Sequence, residues 1–377
     1  MTLKISTGFD AGAIEIVQAT DAHLIELRIR PDSHADFLQW FYFRLQGAAG
    51  MPCTVRLLNA GAATYPDGWK DYAAVASYDR QNWFRVPTSF DGQVLTIVHV
   101  PAQDSVYYAY FEPYSWERHL DLLGRAGNAP GVQLLDLATT HDGRDLNAVV
   151  IGDVSARKKA WIIARQHPGE TMAEWFVEGM IDALLDPANS VAQRLRQEVV
   201  LYLVPNMNPD GSVRGNLRTS ATGANLNREW MAPSVDYSPE VLAVRDMMHV
   251  TGCDLFLDIH GDEGLPYVFV AGSEMLESFT PVQAQRQQAF IDRLKEASPD
   301  FQTEYGYSAG KYRKEVLRLA SKYVAHHFGC VSLTLEMPFK DNAQRVDKVV
   351  GWNGHRSAQL GAAMLHPMLQ SLVSQPD

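Results

Sequence analysis

Between Ile14 and Phe111 the apolar residues come in short runs separated by turn residues: IEIVQAT, HLIELRIR, WFYFRL, CTVRLLNA, DYAAVASY, NWFRV, VLTIVHV and VYYAYF. Runs this short, rich in β-branched and aromatic side chains, predict the strands of an antiparallel sandwich or barrel. A short amphipathic stretch, SWERHLDLL at 115–123, predicts a helix, and the glycines and proline of GRAGNAPG at 124–131 then break its periodicity. That break places a domain boundary near Gly127, giving units 1–126 and 127–377. Beyond it the texture changes to near-continuous apolar runs, NAVVIG, AWIIA, VVLYLVP and DLFLDIH, alternating with helical segments such as EWFVEGMIDALLD at 174–186. Buried parallel strands with covering helices read this way. In the 174–186 segment Phe176, Met180 and Leu184 recur at i, i+4 and i+8, which gives the helix an apolar face for the sheet.

The length supports two units, because 377 residues exceed the roughly 250–300 at which single cores stop growing. With 33 Lys and Arg against 44 Asp and Glu, the formal charge of −11 has the wrong sign for binding a phosphate backbone, so nucleic acid is excluded as a general partner. Cys53, Cys253 and Cys330 are odd in number, widely spaced and outside any CxxC pattern, which predicts neither a disulfide framework nor a thiolate metal site. A reducing compartment fits them. The amino terminus lacks an apolar stretch of about 7–15 residues, and no run approaches the ~18 apolar residues of a membrane span. The expectation is a cytoplasmic protein without a membrane partner.

With thiolates absent, a metal would take imidazole and carboxylate ligands, and a catalytic zinc typically has three. The spacing HxxE occurs at His23 with Glu26, at His167 with Glu170 and at His260 with Glu263. In HLIELRIR, strand alternation sends positions i and i+3 to opposite faces, so the first pair cannot easily share an ion. His167 instead ends the buried run AWIIARQ and is followed by Pro168, Gly169 and a helix opening at Glu170. Loops at the carboxyl ends of α/β strands are where such sheets place ligands. A third ligand should come from another strand end. In CDLFLDIHGDE, Leu255, Leu257 and Ile259 alternate with Phe256, Asp258 and His260, which sets His260 opposite the aliphatic face. Asp258, on the same face as His260, could orient its imidazole or simply be solvated, and Glu263 reads as a loop carboxylate. In CVSLTLEMP the same alternation sets Glu336 away from the aliphatic side at a strand end, placed either for proton transfer or as an ordinary edge carboxylate.

Taken together, HPGET at 167–171, NPDG at 208–211, GNLR at 215–218, GANLNREW at 223–230, the strand-end His260 and TLEMP at 334–338 resemble the funnelin zinc metallocarboxypeptidases. Within that family FDAGAIE, WFYFRL, YPDGWKDY, NWFRV and YFEPYSWERHL are most similar to the cytosolic carboxypeptidase subfamily. The resemblance implies an amino-terminal antiparallel β-sandwich followed by an α/β/α carboxypeptidase-like domain with a mixed central sheet. It implies one zinc ion per chain on His167, Glu170 and His260, polarising the scissile carbonyl and activating a water, with Glu336 as general base and acid. Arg218 matches the arginine that steadies the developing oxyanion, and Asn227 with Arg228 matches the pair that grips a terminal carboxylate. Asn225 stands where secreted members have an aspartate against a ligand histidine; an amide oxygen can also accept that bond. The family's mobile tyrosine falls in YGYSAGKYRKEVLRLASKY, where Tyr305, Tyr307, Tyr312 and Tyr323 are not separated by spacing. The segment's cations, Lys311, Arg313, Lys314, Arg318 and Lys322, read as a solvated helix face, of which one could pair with an acidic substrate side chain. NPDG reads as an architectural turn.

The expected activity is hydrolysis of the last peptide bond of a peptide or protein, with acidic preference. Two other readings stay open at this level: a zinc deacylase acting on N-acyl amino acids, and a non-catalytic binding protein with a vestigial metal site. The amino-terminal domain is expected either to shape the cleft or to mediate self-association into a homo-oligomer.

Overall fold

A computed structural model describes residues 3–308 and 313–373. Ahead of residue 112 the described strands form two five-stranded sheets. The first orders Lys4–Ser6, Tyr42–Gln46, Ser105–Ala109, Val75–Ser77 and Phe84–Arg85, all antiparallel. The second orders Glu15–Asp21, Leu24–Arg28, Cys53–Leu57, Leu95–His99 and Thr88–Phe90. Each of the eight apolar runs contains a strand. Lys4–Ser6 and Thr88–Phe90 were not foreseen, because KIS and TSF carry too few apolar residues to stand out. One pairing departs from the antiparallel expectation: Leu24–Arg28 and Cys53–Leu57 run parallel. The chain between them passes through Tyr42–Gln46 of the other sheet, so it returns in the same direction. Side-chain periodicity carries no information on which sheet a strand joins. Ile25, Leu27, Val55 and Ile97 of the second sheet and Phe43, Leu45, Val106 and Tyr108 of the first are buried in one continuous apolar core.

The connecting helix, Trp116–Gly127, is capped by Ser115, whose side chain accepts from the Arg118 amide. It continues through Gly124 to Gly127, past the stop expected from sequence. Ala126 is buried there, and Arg125 pairs with Glu178 and Asp182 of the helix Met172–Leu185, which offsets the poor helix propensity of glycine. Arg85 ties the two halves more firmly. Its buried guanidinium donates to the carbonyls of Ala73, Phe339, Val350 and Trp352.

The second half is built on a mixed seven-stranded sheet in the order Val132–Thr139, Asp145–Ile151, Val199–Val204, Lys158–Ala164, Leu255–Asp262, Val331–Pro338 and Phe269–Ala271. Lys158–Ala164 is parallel to both of its neighbours, and Leu255–Asp262 is parallel to Val331–Pro338. Alternation sorts each central strand between two cores. Ala160, Ile162, Leu257, Ile259 and Leu333 face one, with the helix Met172–Leu185, while Trp161, Ile163 and Phe256 face the other, with Val244 of Pro239–Thr251 and Val324 of Ala320–Phe328. On the first face Met172–Leu185 crosses Gly354–Ala363 so closely that a Cβ on Gly179 would lie 2.1 Å from the Ala358 carbonyl oxygen, which only glycine allows.

On the second face Glu240 is 1% exposed, and among the described residues neither of its carboxylate oxygens has a hydrogen-bond partner. Burial, reinforced by nearby Asp210, pushes its carboxyl up to about 7. The folded chain therefore holds this proton more tightly than the unfolded chain does. The associated stability is complete below the unfolded carboxyl range and is lost as pH rises through 7. Glu240→Gln is expected to remove about 3 kcal/mol of the stability loss between pH 4.5 and pH 7.5 while leaving stability at pH 4 unchanged, measured by denaturant unfolding at each pH.

Candidate active site

Because Lys158–Ala164, Leu255–Asp262 and Val331–Pro338 are parallel neighbours, their carboxyl ends emerge together. His260 and Glu336 are register partners on adjacent strands, and Ala164 is paired with Ile259 just before the loop that carries His167. The three strands therefore bring His167, His260 and Glu336 to one edge. Glu170 follows in the turn before Met172–Leu185, its amide donating to the His167 carbonyl.

Nδ1 of His167 and Nδ1 of His260 face each other 3.2 Å apart. One Glu170 oxygen lies 2.7 Å from Nδ1 of His167 and the other 2.7 Å from Nδ1 of His260. Two nitrogens held about 2.0–2.1 Å from one ion at a tetrahedral angle would stand about 3.4 Å apart, so this donor set suits a single zinc-sized cation. The ligand atoms of all three residues lie within 4.8 Å of one another. The far ring nitrogens are held by acceptors: Nε2 of His167 lies 3.1 Å from the Asn225 amide oxygen, and Nε2 of His260 lies 2.9 Å from Asp258. Protons kept at Nε2 leave the Nδ1 lone pairs facing inward. Asp258 in turn accepts from Gln166, whose amide oxygen accepts from Trp230. Against burial, Asp258 and Glu170 hold the His260 imidazole well above its ordinary range.

Glu336 is 6% exposed, and burial with the carboxylates of Glu170 and Asp262 nearby pushes its carboxyl up to about 8, opposed by the His260 imidazole. The Tyr307 hydroxyl lies 2.8 Å from Oε1 of Glu336 and 2.8 Å from Oδ2 of Asp262. It has one proton to give, so a second proton, on the raised carboxyl of Glu336, completes the set. Among the described residues the other Glu336 oxygen has no hydrogen-bond partner.

These groups line a cleft of about 1210 Å³ that also takes in Arg218, Asn227, Arg228 and Lys322. Asn227 and Arg228 lie on the short helical turn Leu226–Arg228. The Asn227 amide oxygen accepts from the Ala320 amide, and its nitrogen lies 3.2 Å from Nε2 of His260. The Arg228 guanidinium donates to the Asn227 carbonyl. Lys322 is 3% exposed and donates to the Ala271 carbonyl, and burial lowers its ammonium to about 8.

All seven residues singled out from sequence therefore line one cleft. His23 is exposed and Glu26 pairs with Arg56, away from it. Glu263 is the loop carboxylate expected, just past the strand Leu255–Asp262, and it is 6% exposed and lines the cleft. Tyr307 is the tyrosine that reaches Glu336. Tyr305 stacks on Tyr267 at the cleft wall, Tyr323 packs in the core against Trp230, and Tyr312 lies outside the described residues. Of the cations, Lys322 is no solvated face. Arg318 is exposed and donates to the Arg228 carbonyl, while Lys311 and the side chains of Arg313 and Lys314 lie outside the described residues. Asn208 caps Pro209–Arg214, the architectural role expected of NPDG. Gln166 and Asp262 were missed. Alternation could have found Asp262, which follows Asp258 and His260 on one face of the strand.

Two imidazoles and a carboxylate gathered at the carboxyl edge of a mixed sheet, with a buried acid beside them, make up the architecture of a metallohydrolase. The family comparisons agree. The zinc carboxypeptidase model matches residues 125–350, and that of the cytosolic carboxypeptidase N-terminal domain matches residues 5–111. The chain belongs to the zinc carboxypeptidase family and is a hydrolase of that class. A metallo-carboxypeptidase from Burkholderia cenocepacia is 57% identical, with a TM-score of 0.97 over 99% of this chain and 100% of that one. A metallo-carboxypeptidase from Pseudomonas aeruginosa, solved in complex with (2-guanidinoethylmercapto)succinic acid, is 43% identical, with a TM-score of 0.95 over 98% of this chain and 99% of that one. Human cytosolic carboxypeptidase 1 is 25% identical over 327 residues, 73% of this chain but 27% of the human protein. No helix among the described residues is long and apolar enough to cross a membrane.

Proposed function

We propose that this protein is a zinc-dependent carboxypeptidase that releases an acidic residue from the carboxyl end of peptides. The observation that carries the acidic preference is Lys322, an ammonium 3% exposed in the same cleft as the two imidazoles and Glu336. A buried cation is costly; Glu274, Asp258 and Glu336 act on it electrostatically, but among the described residues none makes an ion pair with it, and an incoming acidic side chain supplies a direct partner.

His167, Glu170 and His260 would hold the zinc, whose contribution when bound is to polarise the scissile carbonyl and make water acidic. Glu336 takes a proton from the attacking water and delivers it to the leaving amine, with Tyr307 holding one of its oxygens in place. Arg218 offers a fixed positive charge to the oxygen on which charge develops. Arg228 and Asn227 engage the terminal carboxylate, the guanidinium fork matching its two oxygens. The three buried, unpaired cysteines support a reducing, cytoplasmic setting. The face-to-face burial of the amino-terminal sheets in one core supports the sandwich reading of that domain.

The test is a mixed peptide library offered to the zinc-loaded protein, with released residues identified by mass spectrometry. Glutamate or aspartate should dominate. Release of neutral residues at equal rates would overturn the acidic preference, and turnover of N-acyl glutamate without any peptide hydrolysis would replace the peptidase reading with that of a deacylase.

A further inference from the structure

Asp32 lies in the amino-terminal domain, 185 residues before Leu217 along the chain, and is 6% exposed. Its carboxylate accepts from three consecutive backbone amides of the second domain: Leu217 at 2.6 Å, Arg218 at 2.7 Å and Thr219 at 2.9 Å. The Thr219 hydroxyl adds a fourth contact at 3.1 Å. Successive amides pointing at one anion form a concave nest that suits a negative charge. The same chain segment supplies the ring environment of the arginine. Phe37, whose carbonyl accepts from the Asp32 amide, places its ring centroid 5.8 Å from the Arg218 guanidinium carbon, and Tyr65 of the same domain places its own 5.5 Å away. The clamped segment also touches the metal-site loop, since the Gly169 amide donates to the Leu217 carbonyl at 2.8 Å.

We propose that Asp32 is a positioning residue for Arg218, through which the amino-terminal domain aims the oxyanion-stabilising guanidinium into the cleft. The inference rests on the carboxypeptidase reading above and on the role given there to Arg218. Electrostatic stabilisation of a transition state depends on donors being fixed before charge develops, and small displacements are costly. Arg218 has a long, flexible side chain on an irregular segment. Asp32 fixes its backbone from one domain, and Phe37 and Tyr65 restrict its head by attraction between cation and ring face. Separation of the two domains would therefore release the arginine even if the metal ligands, all on the second domain, stayed together.

Asp32→Asn keeps the volume but sets an amide NH₂ against at least one of the backbone N–H donors. In the full-length zinc-loaded chain it is expected to lower kcat about 10- to 100-fold, with KM within about threefold of the parent's and zinc content unchanged. In an Arg218→Ala background the same change should cost less than about twofold, because the group being positioned is gone. Equal losses in both backgrounds, or a rise in KM with kcat preserved, would overturn the proposal and leave Asp32 a structural residue. Full turnover by Arg218→Ala alone would instead refute the oxyanion role, and the proposal with it. Should Asp32→Asn not fold, Tyr65→Leu in the two backgrounds makes the same comparison: loss only with Arg218 present supports the clamp, and equal loss contradicts it.

Discussion

Glu336→Gln is expected to lower kcat about 10³- to 10⁴-fold without loss of bound zinc. The substitution keeps the shape of the side chain and the oxygen that faces the Tyr307 hydroxyl. It removes only the capacity to take up and return a proton. Glu336 is not one of the three residues whose ligand atoms converge, so metal content should be indifferent to the change. The parent carboxyl is raised to about 8 by burial and by the Glu170 and Asp262 carboxylates, close to the pH at which a group can both accept and donate. Turnover numbers with a glutamate-ended peptide, beside zinc content by mass spectrometry, check the expectation. Activity within tenfold of the parent would remove Glu336 as the base.

The second large effect is on selectivity. Lys322→Met replaces the buried ammonium with an apolar chain of similar length, and the ratio of kcat/KM for glutamate-ended over glutamine-ended peptides should fall about 100-fold. The residual rate on apolar carboxyl ends should survive, since Glu336 and the metal ligands are untouched. A pH dependence accompanies it. Burial lowers the Lys322 ammonium to about 8, against which Glu274, Asp258 and Glu336 pull upward. Its charged form is thus full below that value and declines above it, so the glutamate preference of the parent should fall as pH rises through 8. In Lys322→Met that slope should be absent. An unchanged ratio in the variant would move the acidic pocket elsewhere.

The strands of the central sheet were legible because alternation is sharp in DLFLDIH and SLTLEMP: aliphatic residues fill one core while His260 and Glu336 project from the other face. The junction of His167 and Glu170 was legible because a buried strand, a proline, a glycine and a helix start leave little choice of geometry. Asp32 was not. PDSHADF reads as a polar turn, and its role exists only because two domains dock. Arg85 was hidden for the same reason, its partners being carbonyls remote in sequence. Lys322 could not be singled out from the neighbouring cations, because its helix, Ala320–Phe328, is buried against the sheet and reaches the strand Phe269–Ala271, which periodicity within nine residues cannot reveal. Tyr307 could be separated from its neighbours only by the path of the chain toward Glu336. The parallel pair in the amino-terminal domain escaped because strand direction is set by the crossover, not by side-chain pattern.

The most direct measurement is the metal itself: zinc content of the purified full-length protein, anomalous scattering from its crystals at the zinc edge, and the same two readings for His260→Ala. One zinc per chain, bonded to the imidazoles of His167 and His260 and to the Glu170 carboxylate and lost in the variant, is the predicted result. A zinc peak away from these side chains, or undiminished zinc in His260→Ala, would contradict it.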